Sequence, residues 1–171
     1  MQITVTAGHG DGDPGATYGG MTEADLMADL RDLVAARLRA AGHEVRTDGE
    51  GKINRALTYA MQLIGGADVA IELHTNASDN PSATGVEVIA LPEQRAQAQR
   101  LARAIAACLR LRLRGDGGWI DQSMSARGRL GFVACGGMVV EVFFLSNAGD
   151  RSAYLVSRDA VADAIAEAVA A

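Results

Sequence analysis

Two cysteines and three histidines in 171 residues leave this chain few of the side chains that hold soft metals or build disulfide scaffolds. Cys108 and Cys135 form no C-x-x-C pair, and two thiols do not staple a chain of this length. Nothing beside Cys135 would activate its sulfur, so both are read as buried, inert thiols. Proline is scarce, at three residues, and the 20 glycines follow no period, which excludes collagen-like and low-complexity structure. With three Phe, three Tyr and one Trp, the chain lacks the aromatic platform expected of a carbohydrate-binding module. No apolar run approaches the roughly 20 residues of a membrane-crossing helix, so no membrane insertion is expected. The start, Met1 to Thr6, has neither a basic segment nor a long apolar one, so no signal peptide is expected. A net charge of −5 argues against a nucleic-acid-binding surface. With so few soft ligands, any metal site must use most of the histidines.

What is present is the composition of one domain with a sizeable core: 49% hydrophobic and 22% charged residues. Gln2–Thr6 reads as a strand, followed by a loop rich in Gly and Asp from Gly8 to Gly20. Thr22 is a good N-cap, with Asp25 three residues on. Leu26, Met27, Leu30, Leu33, Val34 and Leu38 then recur at helical spacing, up to a C-terminal cap at Gly42. His43–Thr47 reads as a second strand. Ile53, Leu57, Ala60, Met61 and Ile64 mark a second helix. Further strands are expected at 68–73, at Val86–Leu91, as a short piece at Gly131–Ala134, and at Met138–Phe144. A long helix is expected over Gln94–Arg114, and a last one capped by Ser157. Alternation of this kind predicts an α/β domain over residues 1–171, with a twisted, mostly parallel sheet of five to six strands flanked by helices. No linker, repeat or second domain is expected.

Gly10, Gly12 and Gly15 formally spell G-x-G-x-x-G after a strand. Asp11 and Asp13 would repel a pyrophosphate, and the helix opens seven residues too late, so the pattern is a decoy. His9 and His74 are more informative. Each lies at the C-terminal end of an expected strand, where open parallel sheets bind ligands. Glu23, in the first turn of the first helix, falls on the same edge. Two His and one carboxylate with an open fourth position form a catalytic zinc set, although hydrogen-bonded loop histidines and a helix-dipole glutamate would look the same. His43 reads as an ordinary strand entry.

Glu141 interrupts the apolar run Met138–Leu145. Burying its charge there is costly, and desolvation would raise its pKa toward the range of a general acid/base. Glu72 and Glu87 also lie inside strands, and the sequence does not decide whether they face the site. Arg100, Arg103, Arg110 and Arg114 share a face of the expected long helix. That face is either solvated or a patch for an anionic surface.

These residues together resemble the zinc-dependent N-acetylmuramoyl-L-alanine amidases of bacterial autolysins and phage endolysins, over nearly the whole chain. Ala7-Gly8-His9-Gly10 with Asp13-Pro14-Gly15-Ala16 resembles that family's opening metal loop. Gly20 to Asp25 resembles its second ligand segment, and Arg55 with Gly66 to Val69 the helix and strand entry that follow. His74-Thr75-Asn76-Ala77 and Gly85 to Val88 resemble the third ligand segment, and Val140 to Asn147 with Asp150 the catalytic strand. Glu72 departs from the small polar residue usual two places before the last histidine, and Gly10-Asp11-Gly12 from the usual glycine pair. The resemblance implies a zinc-hydrolase-like fold holding one Zn²⁺ on His9, Glu23 and His74. It implies Glu141 as catalytic acid/base toward a zinc-activated water, and Asn76 as an orienting or substrate-binding residue. The implied substrate is bacterial peptidoglycan, cut between N-acetylmuramic acid and L-alanine of the stem peptide. The protein is then expected to be a monomer needing no other cofactor. It would be made in the cytoplasm and released to the wall as phage lysins are, or form one domain of a longer autolysin. The rivals are another zinc peptidase of carboxypeptidase type and a non-catalytic wall-binding domain.

Overall fold

The computed structural model describes residues 1–125 and 128–171. Among the described residues, eight strands and five α-helices follow in the order β1 (Gln2–Ala7), β2 (Thr17–Tyr18), β3 (Met21–Thr22), α1 (Glu23–Ala40), β4 (Glu44–Thr47), α2 (Leu57–Gln62), β5 (Val69–Asn76), β6 (Glu87–Ala90), α3 (Arg95–Leu109), β7 (Trp119–Asp121), α4 (Gly131–Ala134), β8 (Met138–Phe144) and α5 (Ala148–Ala170). Six strands form one sheet in the order β4-β1-β5-β8-β6-β7, and β2 and β3 make a small hairpin. The neighbours β4, β1, β5 and β8 are parallel, β6 runs antiparallel to β8, and β7 follows β6. The sheet is therefore mostly parallel, as expected, with its last two strands reversed.

The chain leaves β1 toward β4 on one side and returns to β5 on the other. The strand order thus reverses at β1, and the crevice past the carboxyl ends of β1 and β5 is a topological switch point, where such sheets bind ligands. One face of the sheet is covered by α1, α3 and α5 over the larger apolar cluster, which includes Ile3, Leu30, Val34, Leu73, Val140, Phe143, Tyr154 and Ile165. The short α2 and α4 cover the other face, around Phe132, Val133, Ala70 and Val139. The same face carries the polar side chains of Thr6, Glu72, His74 and Glu141.

α1 begins as its sequence predicts. Thr22 Oγ1 accepts from the Asp25 amide at 3.1 Å, acids occupy the first turn, and Arg37 and Arg39 the last. Other expectations need correction. α2 runs only over Leu57–Gln62, because Ile53 and Asn54 belong to a loop with other work. Residues 131–134 form a helical turn and not a strand. α3 stops at Leu109, where Arg110 turns left-handed with φ 54°, so Arg110 and Arg114 leave the helix and no continuous basic face exists. Instead Arg112 donates to Thr84 O, and Arg114 pairs with Glu87. α5 starts at Ala148, nine residues before Ser157. Asn147 caps it by accepting from the amides of Gly149 and Asp150, and Tyr154 stacks on Phe143 with ring centroids 4.6 Å apart. Neither thiol is fully buried: Cys108 is half-buried and Cys135 exposed. No helix among the described residues is long and apolar enough to cross a membrane.

Candidate metal centre

β1 ends at Ala7, and the chain turns sharply at His9, which takes a left-handed φ of 65°. A non-glycine residue there needs support. It comes from a buried polar network behind the loop. Asn54 Nδ2 donates to the carbonyls of both Ala7 and His9. Arg31, fully buried on α1, donates through Nη1 to Asn54 Oδ1 at 3.0 Å, to Ile53 O at 3.1 Å and to Asp48 Oδ1 at 3.3 Å. Asp48 in turn accepts from the Ala7 amide. Burial raises the Asp48 pKa to about 6, against the pull of Arg31 and the Ala7 amide.

Glu23 is the first residue of α1 and turns inward, 3% exposed. Its two oxygens divide the work. Oε1 accepts from the Thr75 amide at 2.9 Å and faces His74 Nδ1 at 3.0 Å. Oε2 accepts from the Ala16 amide at 3.1 Å and faces His9 Nε2 at 3.1 Å. Burial alone would raise its pKa, but the bonds from His74 and His9 win and hold the carboxyl well below the usual range. The histidines respond in kind. Hydrogen bonding to Glu23 raises His9 against its desolvation. Burial opposes charge on His74, yet Glu23 and Glu72 together lift it well above the ordinary imidazole value. The far nitrogens are also occupied: His9 Nδ1 meets Asp13 Oδ2 at 2.8 Å, and His74 Nε2 meets Glu72 Oε2 at 3.1 Å.

Nitrogens from His9 and His74 and an oxygen from Glu23 lie within 4.8 Å of one another. Tetrahedral zinc with bonds of about 2.0–2.2 Å asks for donors a little over 3 Å apart. The 3.0 and 3.1 Å separations around Glu23 come close to that spacing. Glycines make the approach possible. A Cβ at Gly8 would clash with the His74 ring at Cε1, and one at Gly15 would sit 2.6 Å from His9 Cδ2 and 2.8 Å from Glu23 Oε2. The donor set and its clearances therefore fit one zinc ion. Asp13, held by His9 and the Gly15 amide, gives the G-x-G-x-x-G loop its true use.

Glu141 stands directly opposite His74 in the pairing of β5 with β8, and opposite Glu87 in the pairing of β8 with β6. Its Oε2 is enclosed and has no hydrogen-bond partner among the described residues. Burial lifts its pKa to about 7, helped by Glu23 and Glu87 and opposed by His74. Glu87 is itself tied down. Asn76 Nδ2 donates to its Oε1 at 2.9 Å, and Arg114 Nε donates to Oε2 while stacking over Phe144. Asn76 thus spends its amide on Glu87.

The structure brings His9, Glu23, His74, Glu141 and Asn76 to one edge, together with Glu72 and Glu87, and leaves His43 at the entry to β4. The sequence reading missed Arg31, Asp48 and Asn54. One signal was available: Arg31 follows Met27 by four residues and falls inside the apolar stripe of α1.

A family model described as N-acetylmuramoyl-L-alanine amidase matches residues 3–171. The N-acetylmuramoyl-L-alanine amidase LytC of Bacillus subtilis (strain 168) is 28% identical over 176 residues, covering 95% of this chain. The chain spans 34% of that relative's length. A crystal structure from Neisseria meningitidis, assigned as an N-acetylmuramoyl-L-alanine amidase, matches with a TM-score of 0.91 and 42% identity, covering 99% of this chain and 93% of that one. The N-acetylmuramoyl-L-alanine amidase of Clostridium difficile 630 matches with a TM-score of 0.84 over 99% of this chain and 94% of that one. At 20% identity that likeness is one of fold.

Proposed function

Since the chain belongs to the N-acetylmuramoyl-L-alanine amidase family, we propose that it hydrolyses peptidoglycan at the amide between the lactyl group of N-acetylmuramic acid and L-alanine of the stem peptide. The observation that carries this reading is the pairing of two unlike groups across one strand register. A His/Glu/His donor set suited to zinc lies beside a carboxyl, Glu141, with an enclosed, unpartnered oxygen and a pKa near neutrality.

His9, Glu23 and His74 would hold the ion. Zinc, when bound, supplies Lewis acidity toward the amide carbonyl and acidifies water to a pKa of about 7. Glu141 is the general base and then the general acid. Its carboxylate takes a proton from the attacking water and returns it to the departing L-alanine amine. Glu87, paired with Arg114, stands opposite Glu141, and its electrostatic effect favours a proton on Glu141. Asn76 fixes Glu87 and so acts as a positioning residue. The protein is read as working at the wall as a monomer.

Incubating the purified chain with isolated peptidoglycan should expose new L-alanine amino termini. The stem peptides should be released intact, which separates an amidase from a carboxypeptidase. A chelator should stop the release and Zn²⁺ restore it. Glu141→Gln should keep its zinc and lose about 10²- to 10⁴-fold in rate. Full activity in that zinc-loaded variant would sink the assignment of Glu141.

A further inference from the structure

We propose that Glu72 is the positioning carboxylate of His74, accepting the Nε2 proton so that Nδ1 is free as the metal ligand. This rests on the reading of His74 as a zinc ligand. The two ring nitrogens of His74 have distinct neighbours. Nδ1 points to Glu23 and the donor cluster at 3.0 Å, and Nε2 points away to Glu72 Oε2 at 3.1 Å. A neutral imidazole that ligates through Nδ1 carries its proton on Nε2, and the partner of that proton fixes tautomer and ring angle.

The location of Glu72 supports the assignment. It lies two residues before His74 on β5, hence on the same face of the strand. β5 is an interior strand, flanked by β1 and β8, with Thr6 and Val139 beside Glu72. A carboxylate 5% exposed in such a place is costly unless it is bonded. Among the described residues, its side-chain bond goes to His74. His9 offers an internal comparison, because its far nitrogen meets Asp13 at 2.8 Å and the Asp13 side chain is 63% exposed. Water screens that pair, whereas Glu72 acts in a dry setting. Of the two outer carboxylates, Glu72 should therefore have the larger effect on the metal.

The test is zinc affinity of the whole chain, read by competition with a chromophoric chelator, for the wild type, Glu72→Ala, Glu72→Gln and Asp13→Ala. Glu72→Ala should bind zinc about 10- to 100-fold more weakly. Glu72→Gln keeps an acceptor oxygen without the charge and should fall between the two. Asp13→Ala should lose less than Glu72→Ala. Zinc affinity is compared only among metal-free proteins whose melting curves show them folded at the assay temperature, which separates positioning from loss of the fold. Long-range proton–nitrogen spectra of the zinc-loaded wild type should show the His74 proton on Nε2. If Glu72→Ala or, should that variant not fold, Glu72→Gln binds zinc as tightly as the wild type, the proposal is overturned. A His74 proton found on Nδ1 overturns it equally. If the wild type itself binds no zinc, the metal assignment falls with it. If the wild type binds and the variants match it, only the role of Glu72 falls.

Discussion

Replacing Arg31 with Met should be among the most damaging single changes outside the candidate metal donors. Arg31 and Asp48 are both fully buried, and Arg31 makes five side-chain hydrogen bonds, to Asp32, Asp48, Ile53, Asn54 and Gly51. Even with that cation present, burial lifts the Asp48 pKa from 3.8 to about 6. At about 1.4 kcal/mol per pH unit, this corresponds to about 3 kcal/mol already set against its charge. Removing Arg31 leaves the charge uncompensated, a loss of roughly 3–5 kcal/mol for a buried pair broken on one side. For 171 residues the unfolding entropy is roughly 0.36 kcal/mol/K, so the midpoint should fall by about 8–14 °C. The pH dependence has a definite sign. A carboxyl whose pKa is raised on folding favours the folded state at low pH, and that contribution is lost as pH rises through the folded value, about 6. Without Arg31 the folded pKa climbs further, so the deficit of the variant should shrink between about pH 7 and pH 5. Calorimetry of the metal-free proteins at both pH values measures this. Adding Asp48→Leu should recover much of the loss. A midpoint within about 2 °C of the wild type at pH 7, or a deficit that grows on acidification, would refute the reasoning.

Gly8→Ala should weaken zinc binding and activity at least tenfold, because its Cβ would overlap the His74 ring, while Gly65→Ala, whose nearest neighbour is Gln62 O at 3.8 Å, should do neither. Metal analysis and the peptidoglycan assay check both. His43→Ala should leave zinc content unchanged, and a large loss of metal there would refute the assignment of His9 and His74. Asn147→Ala removes the cap of α5 and should cost about 1 kcal/mol, read as a midpoint lowered by about 2–4 °C. The acid limb of kcat/KM should report Glu141, since a base must be ionised to accept a proton. Its pKa is about 7 in the metal-free protein and should be lower beside a bound cation. A rate that stays flat through the acid range, down to about pH 4, would exclude that role.

The four candidate positions stood out because each breaks a local rule. His9 lies two residues past the end of β1, His74 two residues before the end of β5, Glu23 opens a helix, and Glu141 interrupts an apolar strand. Elements that follow a local rule, such as the apolar stripe of α1 and the apolar run of β8, were legible as well. The start of α5 was not, because its first turns carry Asp, Arg and Ser, and both Leu155 and Val156 face outward. Its cap at Asn147 and the buried Tyr154 set the boundary through tertiary contact. The length of α3 was overread because Leu109, Leu111 and Leu113 continue an apolar pattern past the left-handed turn at Arg110. The roles of Glu72 and Glu87 could not be read from spacing, since strand alternation gives a face but not which face is covered by helices.

What the folded chain adds is a separate anchor for each donor. His9 is held through its backbone by Asn54 and Arg31, Glu23 by the amides of Thr75 and Ala16, and His74 by strand pairing and Glu72. Each anchor is made by the backbone or side chains of the protein itself, so the fold positions the donors. Here the apolar clusters on both faces of the sheet supply the fold, and the buried charges behind β1 position a left-handed histidine that the sequence alone would not favour.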